Sequence, residues 1–422
     1  MLNDKQLEIF EILKTGENAF ITGDAGTGKS YLLREFIEYC KKFGKNVVLC
    51  ASSGIAAVQI GGVTVHRAFE IKPEPVIPET GKMPRIMKAA DVIIIDEISM
   101  LRIDLFDRVI NTIRKAEKLY HKNIQLIVTG DFNQLPPVIT TNDATFLKSR
   151  YSLDVINNGA FAFMSPKWEE CSFKTLILDE IIRQQDKLFI EALNGIRRGD
   201  YDAIKWINEN ALKKPIPGAI TLYATNKRAN EKNEQELASI KSVDKTYIGI
   251  TTGRFSDNEK VVPDRLNLKT GARVMSVVND VYNQKPHYNN GSLGTVIRLG
   301  DYSVLVQFDN GHLEDISYNV WESQTYNVIT KINPQTMKEE KELSLDIVGT
   351  YRQIPLKLAY SITIHKSQGQ TYDAVNLEPY CFAPGQLYVA LSRVKSIDKL
   401  CLLSPIQNSY LITNPKVKEF YE

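Results

Sequence analysis

A chain of 422 residues is long enough for about three domain-sized units. Apolar residues make up 43% and charged residues 24%, the balance of a globular protein and not of a disordered or fibrous one. The net charge is +2, from 52 Lys and Arg against 50 Asp and Glu, which excludes a global field drawing in nucleic acid; any such binding must use local patches.

In chain order, a strand-like run at 19–22 leads into Gly23-Asp24-Ala25-Gly26-Thr27-Gly28-Lys29-Ser30, and an amphipathic helix at 31–42 follows. The pattern G-x-x-x-x-G-K-[ST] between a strand and a helix is a phosphate-binding loop. Its glycines let main-chain N–H groups turn inward around phosphate oxygens, and the helix N-terminus directs partial positive charge at them. Further strands are expected at 47–51, 92–95, 124–129 and 175–178, with helical patterns between them. Such alternation builds a parallel sheet with helices on both faces, an α/β fold. The prolines of IKPEPVIPETGKMP, residues 71–84, exclude a helix and point to a small protruding insertion. A second α/β series starts near 179, with helices at 187–198 and 226–240 and strands at 220–223, 374–377 and 400–403. Between them, from 271 to about 349, short β-rich runs separated by turn residues read as a small inserted barrel.

Three segments carry chemistry. In the phosphate loop, Lys29 would reach the β- and γ-phosphates and Ser30 would ligate Mg²⁺. The apolar run 91–95 ends in Asp96-Glu97; strand ends of such sheets face the ligand crevice, so Asp96 would hold Mg²⁺ and Glu97 would polarise the attacking water. At another strand end, Gly130-Asp131-Phe132-Asn133-Gln134-Leu135-Pro136-Pro137 places Gln134 where it can bond the γ-phosphate and report its loss. Further on, Thr363, His365 and Lys366 lie in a stretch dense in donors suited to the phosphates of a single strand. The five cysteines (Cys40, Cys50, Cys171, Cys381, Cys401) are scattered, with no C-x-x-C, so neither disulfides nor a zinc site is indicated. That usage, the absence of a signal-peptide pattern at Met1-Leu2-Asn3-Asp4-Lys5, and the lack of any apolar run near the ~20 residues of a membrane span lead us to expect a cytoplasmic protein.

Gln6, the phosphate loop, Ala51-Ser52-Ser53-Gly54-Ile55-Ala56-Ala57, Asp96-Glu97-Ile98-Ser99-Met100 and GDFNQLPPV stand in the order used by superfamily 1 helicases. The chain most closely resembles the Pif (petite integration frequency) helicase family, related to RecD, and the likeness runs to GQLYVALSRV near the C-terminus. The resemblance implies two tandem RecA-like P-loop NTPase domains, at 1–178 and 179–422. The first would carry a Pro-rich, wedge-like insertion at about 63–88 and the second an SH3-like β-barrel insertion at about 275–348.

It also implies ATP and Mg²⁺ as cofactors, with Gly23, Ala25, Gly26, Thr27, Gly28, Lys29 and Ser30 around the phosphates and Gln6 on the adenine edge. Gln368 and Gly369 would sit near the nucleotide, and Arg183 and Arg393 would be arginine fingers. Implied DNA contacts are Ser53, Gly54, Thr64, His66, Phe69, Thr225, Asn226, Asn290, Gly291 and Ser292, beside Thr363, His365 and Lys366. Ser53 replaces the family's Thr and Arg67 its Ser, changes that keep hydrogen bonding or add charge. The expected activity is 5′→3′ translocation on single-stranded DNA with unwinding of duplex, forked or structured DNA such as G-quadruplexes and R-loops, by a monomeric motor. The rival readings are a DNA-stimulated translocase and an ATP-switched single-strand-binding module; the latter would need no arginines at 183 and 393.

Overall fold

In the computed structural model the described residues are 2–422 except 25, 73–76, 80, 153, 180–183, 185, 282, 284 and 333–338. They form two compact units, residues 1–183 with 324–346 and 413–422, and residues 184–323 with 347–412.

The first unit is built on six strands: β1 (Ala19–Gly23), β2 (Val47–Ala51), β3 (Val63–Thr64), β4 (Val92–Asp96), β5 (Gln125–Thr129) and β6 (Lys174–Leu178). They lie in the order β3-β2-β4-β5-β1-β6, every pair parallel. Every residue of β1, β4 and β5 is buried, which is why these strands read as unbroken apolar runs. Successive side chains go to opposite faces. Phe20, Ile93, Ile95, Leu126 and Val128 join one core, whereas Ile21, Ile94 and Ile127 join another with Leu32 and Phe36. The helices that cover the sheet include α1 (Asp4–Lys14), α2 (Lys29–Lys42), α3 (Gly54–Ile60), α4 (Val65–Ala68) and α5 (Ile103–Tyr120). This is a RecA-like architecture. Its strand order sets β5 between the phosphate-loop strand β1 and the acidic strand β4.

Two later segments cluster with this unit, although they lie in the range expected for the second domain. In the first, the Tyr326 hydroxyl accepts the Leu49 N–H (2.9 Å) and Asn46 Oδ1 accepts the Leu343 N–H (2.9 Å). Strand β3 meets β2 only at Cys50 and Ala51, so a side chain serves the amide that the short strand leaves open. In the second, Phe420 of the helix Pro415–Tyr421 stacks on Phe163 (4.4 Å) and meets Phe132 edge-on (5.3 Å). Of the insertion expected to protrude at 71–84, residues 78, 79 and 82 are held along α5: Asn111, Lys115 and Arg108 donate to the Pro78, Glu79 and Lys82 carbonyls (3.1, 3.3 and 3.2 Å). Residues 73–76 and 80 lie outside the described set.

The second unit has a four-stranded parallel sheet in the order Ser361–Thr363, Ile220–Tyr223, Val375–Leu377, Leu400–Leu402. It is RecA-like in turn, flanked by the helices Lys187–Arg198 and Asn226–Ser239. A five-stranded antiparallel sheet, in the order Leu313–Ser317, Ser303–Phe308, Leu293–Leu299, Arg273–Ser276, Leu356–Leu358, shares one core with a two-stranded ladder of Asp244–Ile248 and Arg265–Lys269. This β module therefore starts before the expected limit of about 275. Asp-Lys-Thr-Tyr-Ile buries only Tyr247 and so carries little alternating signal. The long strands Asn319–Ile332 and Glu339–Gln353 pair with one another.

Candidate nucleotide site and nucleic-acid contacts

Gly23 ends β1 with φ +145°, and a Cβ there would stand 2.1 Å from the Leu178 carbonyl oxygen, so only glycine lets the chain turn away beside β6. Gly28 caps α2 in the left-handed region at φ +85°, which glycine adopts without strain. The Lys29 ammonium donates to the Gly23 and Asp24 carbonyls (2.8 and 2.9 Å), and Thr27 Oγ1 donates to the Asp24 carbonyl (3.0 Å). Burial pulls the Lys29 pKa below its usual value, opposed by the carboxylates of Asp131, Glu97, Asp96 and Asp24. Those four acids come from the phosphate loop and the ends of β4 and β5. Their common action on one ammonium marks where the three chemistry-bearing segments meet. Ser30 is exposed in the first turn of α2. Ala25 lies outside the described residues.

Asp96 is buried at the end of β4, and burial raises its carboxyl pKa, against the Glu97 N–H (2.9 Å to Oδ1) and the Lys29 charge. Glu97 sits at φ +54°, a left-handed backbone that is uncommon for a side-chain-bearing residue and clusters at functional sites. The following turn is braced by Arg102, which donates to Asp104 (2.6 Å) and Asp143 (2.6 Å). Gln134 is buried, and its N–H donates to the Asp131 carbonyl (3.0 Å). The loop is anchored by Phe132, packed among Phe20, Phe163, Trp168 and Phe420.

Gln6 forms a capping box with Asn3: its N–H donates to Asn3 Oδ1 (2.8 Å) and its Oε1 accepts the Asn3 N–H (3.1 Å). Its Nε2 is buried with no hydrogen-bond partner in the structure, a donor suited to a base edge.

Arg183 lies outside the described residues. Arg393 is 1% exposed and spends its guanidinium within its own unit, on the Val389, Ser367 and Gln370 carbonyls (2.7, 3.2 and 3.0 Å) and the Ser392 hydroxyl (2.6 Å). It therefore also braces the turn that holds Gln368 and Gly369, the latter at φ +77°.

The five hydroxyl residues among the implied DNA contacts carry local duties. Ser53 Oγ accepts the Ala56 N–H, Thr64 caps α4, Thr225 caps the helix Asn226–Ser239, and Ser292 Oγ accepts the Asn289 N–H. Thr363 is buried and accepts the Lys366 N–H (3.3 Å). A hydroxyl that accepts a main-chain N–H keeps its own proton to donate. Asn226, Asn290 and Lys366 are exposed, Gly54 opens α3, and Gly291 turns at φ +98°. Burial lowers the pKa of both His66 and His365, which favours the neutral ring. Phe69 requires a correction. At 1% exposure in the first unit's core, it has no face for a base, because core packing takes the whole ring. The sequence pattern did not single out Tyr421 as a contributor. Its hydroxyl accepts the Phe132 N–H (3.1 Å) and lies 3.1 Å from Thr22 Oγ1.

Comparison with known proteins agrees with this geometry. A sequence profile described as PIF1-like helicase matches residues 1–206. An ATP-dependent DNA helicase Pif1 of Psychrobacter sp. is 33% identical over 463 residues, covering 94% of this chain and 67% of that protein. The crystal structure of a Bacteroides sp. Pif1 in complex with ADP-AlF4 matches with a TM-score of 0.83 at 29% identity, covering 100% of this chain and 96% of that one. A Bacteroides Pif1 bound to ssDNA matches over the same shares with a TM-score of 0.68 at 30% identity. With a phosphate loop, an acidic strand end and a glutamine loop converging on Lys29 in a fold shared over its whole length, the chain belongs to the PIF1-like helicase family.

Proposed function

We infer that the protein is an ATP-dependent DNA helicase that moves along single-stranded DNA. The convergence of Asp24, Asp96, Glu97 and Asp131 on Lys29 at the ends of β1, β4 and β5 carries the reading. On ATP binding, Lys29 exchanges the Gly23 and Asp24 carbonyls for the β- and γ-phosphates, while Gln6 Nε2 donates to the adenine edge. Ser30 and Asp96 are a hard-oxygen pair suited to Mg²⁺, which when bound neutralises charge on the β/γ oxygens. Glu97 orients the attacking water, and Gln134 bonds the γ-phosphate and registers its departure. Arg393 acts as an arginine finger, and Arg183 is proposed for the same role on sequence grounds.

DNA is held by Ser53, Gly54, Thr64, His66, Thr225, Asn226, the 290–292 turn, Thr363, His365 and Lys366. The segment 71–84 is proposed as the strand-separating wedge. Movement is 5′→3′, the motor unit is a monomer, and the working place is the cytoplasm, whose reducing conditions suit five unpaired buried cysteines. Among the described residues no helix is long and apolar enough to cross a membrane.

The test is strand displacement with ATP and Mg²⁺ on duplexes with a 5′ tail, a 3′ tail or blunt ends. Displacement confined to the 5′-tailed duplex is expected. Preference for the 3′ tail would overturn the polarity, and DNA-stimulated hydrolysis without displacement would reduce the motor to a translocase.

A further inference from the structure

The loop that carries Gln134 and the loop that carries Lys29 leave neighbouring strands. Strands β1 and β5 pair from Ala19↔Ile127 to Ile21↔Thr129, and the Gly130 N–H reaches the Ile21 carbonyl (3.1 Å). Beyond that point a side chain bridges the two. The Tyr421 hydroxyl accepts the Phe132 N–H (3.1 Å), lies 3.1 Å from Thr22 Oγ1 and donates to Asp131 Oδ1 (3.4 Å). Thr22 directly precedes Gly23, and Phe132 stands two residues before Gln134.

The helix Pro415–Tyr421 is fixed independently of this bridge. Asn414 Oδ1 accepts the Lys416 and Val417 N–H groups (2.9 and 3.4 Å), and its Nδ2 donates to the Asn158 carbonyl (3.1 Å). Val417 is buried in the core, and Phe420 sits in the aromatic cluster around Phe132. Packing alone would accept phenylalanine at 421; only the hydroxyl joins the loops.

We propose that Tyr421 is a positioning residue for ATP hydrolysis, its hydroxyl setting the distance between the Gln134 loop and the phosphate loop. The proposal rests on the assignment of Gln134 to the γ-phosphate. Tyr421 touches no reacting atom; it acts through the Phe132 N–H and the Asp131 carboxylate, whose residue also accepts the Gln134 N–H at its carbonyl. Losing the bonds to the Phe132 N–H and the Asp131 carboxylate at such a point should slow the chemical step without altering how ATP is first held.

The test uses the full chain and compares Tyr421→Phe, Gln134→Ala and the double variant by steady-state hydrolysis with saturating single-stranded DNA, ADP affinity and thermal melting. Tyr421→Phe is expected to lower kcat about fivefold or more, the scale of one or two lost hydrogen bonds, with KM for ATP and ADP affinity unchanged and Tm only slightly lowered by the unpartnered Phe132 N–H. In the double variant it should add nothing to the loss from Gln134→Ala, because both act through one contact. An unchanged kcat in Tyr421→Phe beside a large loss in Gln134→Ala would overturn the positioning role and leave Gln134's assignment standing. Additive losses, or a Tm that falls to the assay temperature so that kcat merely tracks unfolded enzyme, would also overturn it. No loss in either variant would overturn the assignment of Gln134 itself.

Discussion

Lys29 is held by opposing forces. Two carbonyls of its own loop hold it, burial disfavours its charge and four carboxylates favour it. Phosphates would add negative charge to the side that favours the ammonium. Lys29→Ala is therefore expected to reduce ATP turnover to background while leaving nucleotide-free binding of single-stranded DNA intact, as read by coupled hydrolysis and fluorescence anisotropy. Comparable turnover would remove the phosphate-loop assignment. Lys357, in the second unit, makes a different case. Burial, and then the charge of Lys366, lower its pKa to about 8 from an ordinary 10.5. Between those values the unfolded chain binds the proton that the folded chain has released, so stability rises with pH across that window; below it the charged ammonium is a standing cost. Lys357→Met is expected to raise Tm at pH 7 and to raise it less at pH 10. Equal gains at both pH values would show that no titration is involved.

Single residues join whole elements at Arg393 and Phe132. Arg393 ties the end of the helix Gln386–Leu391 to the turn at 367–370, so its replacement should act twice. Arg393→Ala is expected to lower turnover by about 10²-fold or more through loss of the finger. It should also lower Tm, because carbonyls buried with the guanidinium lose their donors. A turnover loss below about threefold, far from the scale of a finger, would leave Arg393 a structural brace alone. Phe132 seats the Gln134 loop in the aromatic core, which explains how a loop at the end of the central strand β5 keeps a fixed geometry. The hydroxyls read from the sequence as DNA contacts are mostly caps and turn locks in the fold. Ser and Thr are chosen at such places for the main-chain N–H they accept, and that use leaves the same short pattern as phosphate contact.

Across the whole molecule, a net charge of +2 leaves DNA binding to local groups, of which the exposed Lys366 is one proposed. Affinity for single-stranded DNA should fall steeply, as a straight line in log K against log salt, because phosphate contacts release counterions. Salt-independent binding would contradict the proposed contacts. The parallel sheets were legible because strands buried on both faces write continuous apolar runs: Val47–Ala51 and Ile220–Tyr223 stand where expected. The start of the β module was not, since Asp244–Ile248 buries only Tyr247 and pairs with a strand some twenty residues on. The phosphate-loop pattern, Asp96-Glu97 and the 130–137 segment were visible as short local patterns, and the fold sets them at the ends of the neighbouring strands β1, β4 and β5. The burial of Phe69 and Tyr421's reach to Thr22 and Phe132 depend on how a ring packs or on side chains hundreds of residues apart, and the Arg393 brace depends on the turn that brings Ser367 and Gln370 back to it. Local spacing encodes what a main-chain loop can cradle. Which distant hydroxyl, ring or guanidinium then holds that loop is settled only when the sheets pack and long-range neighbours meet.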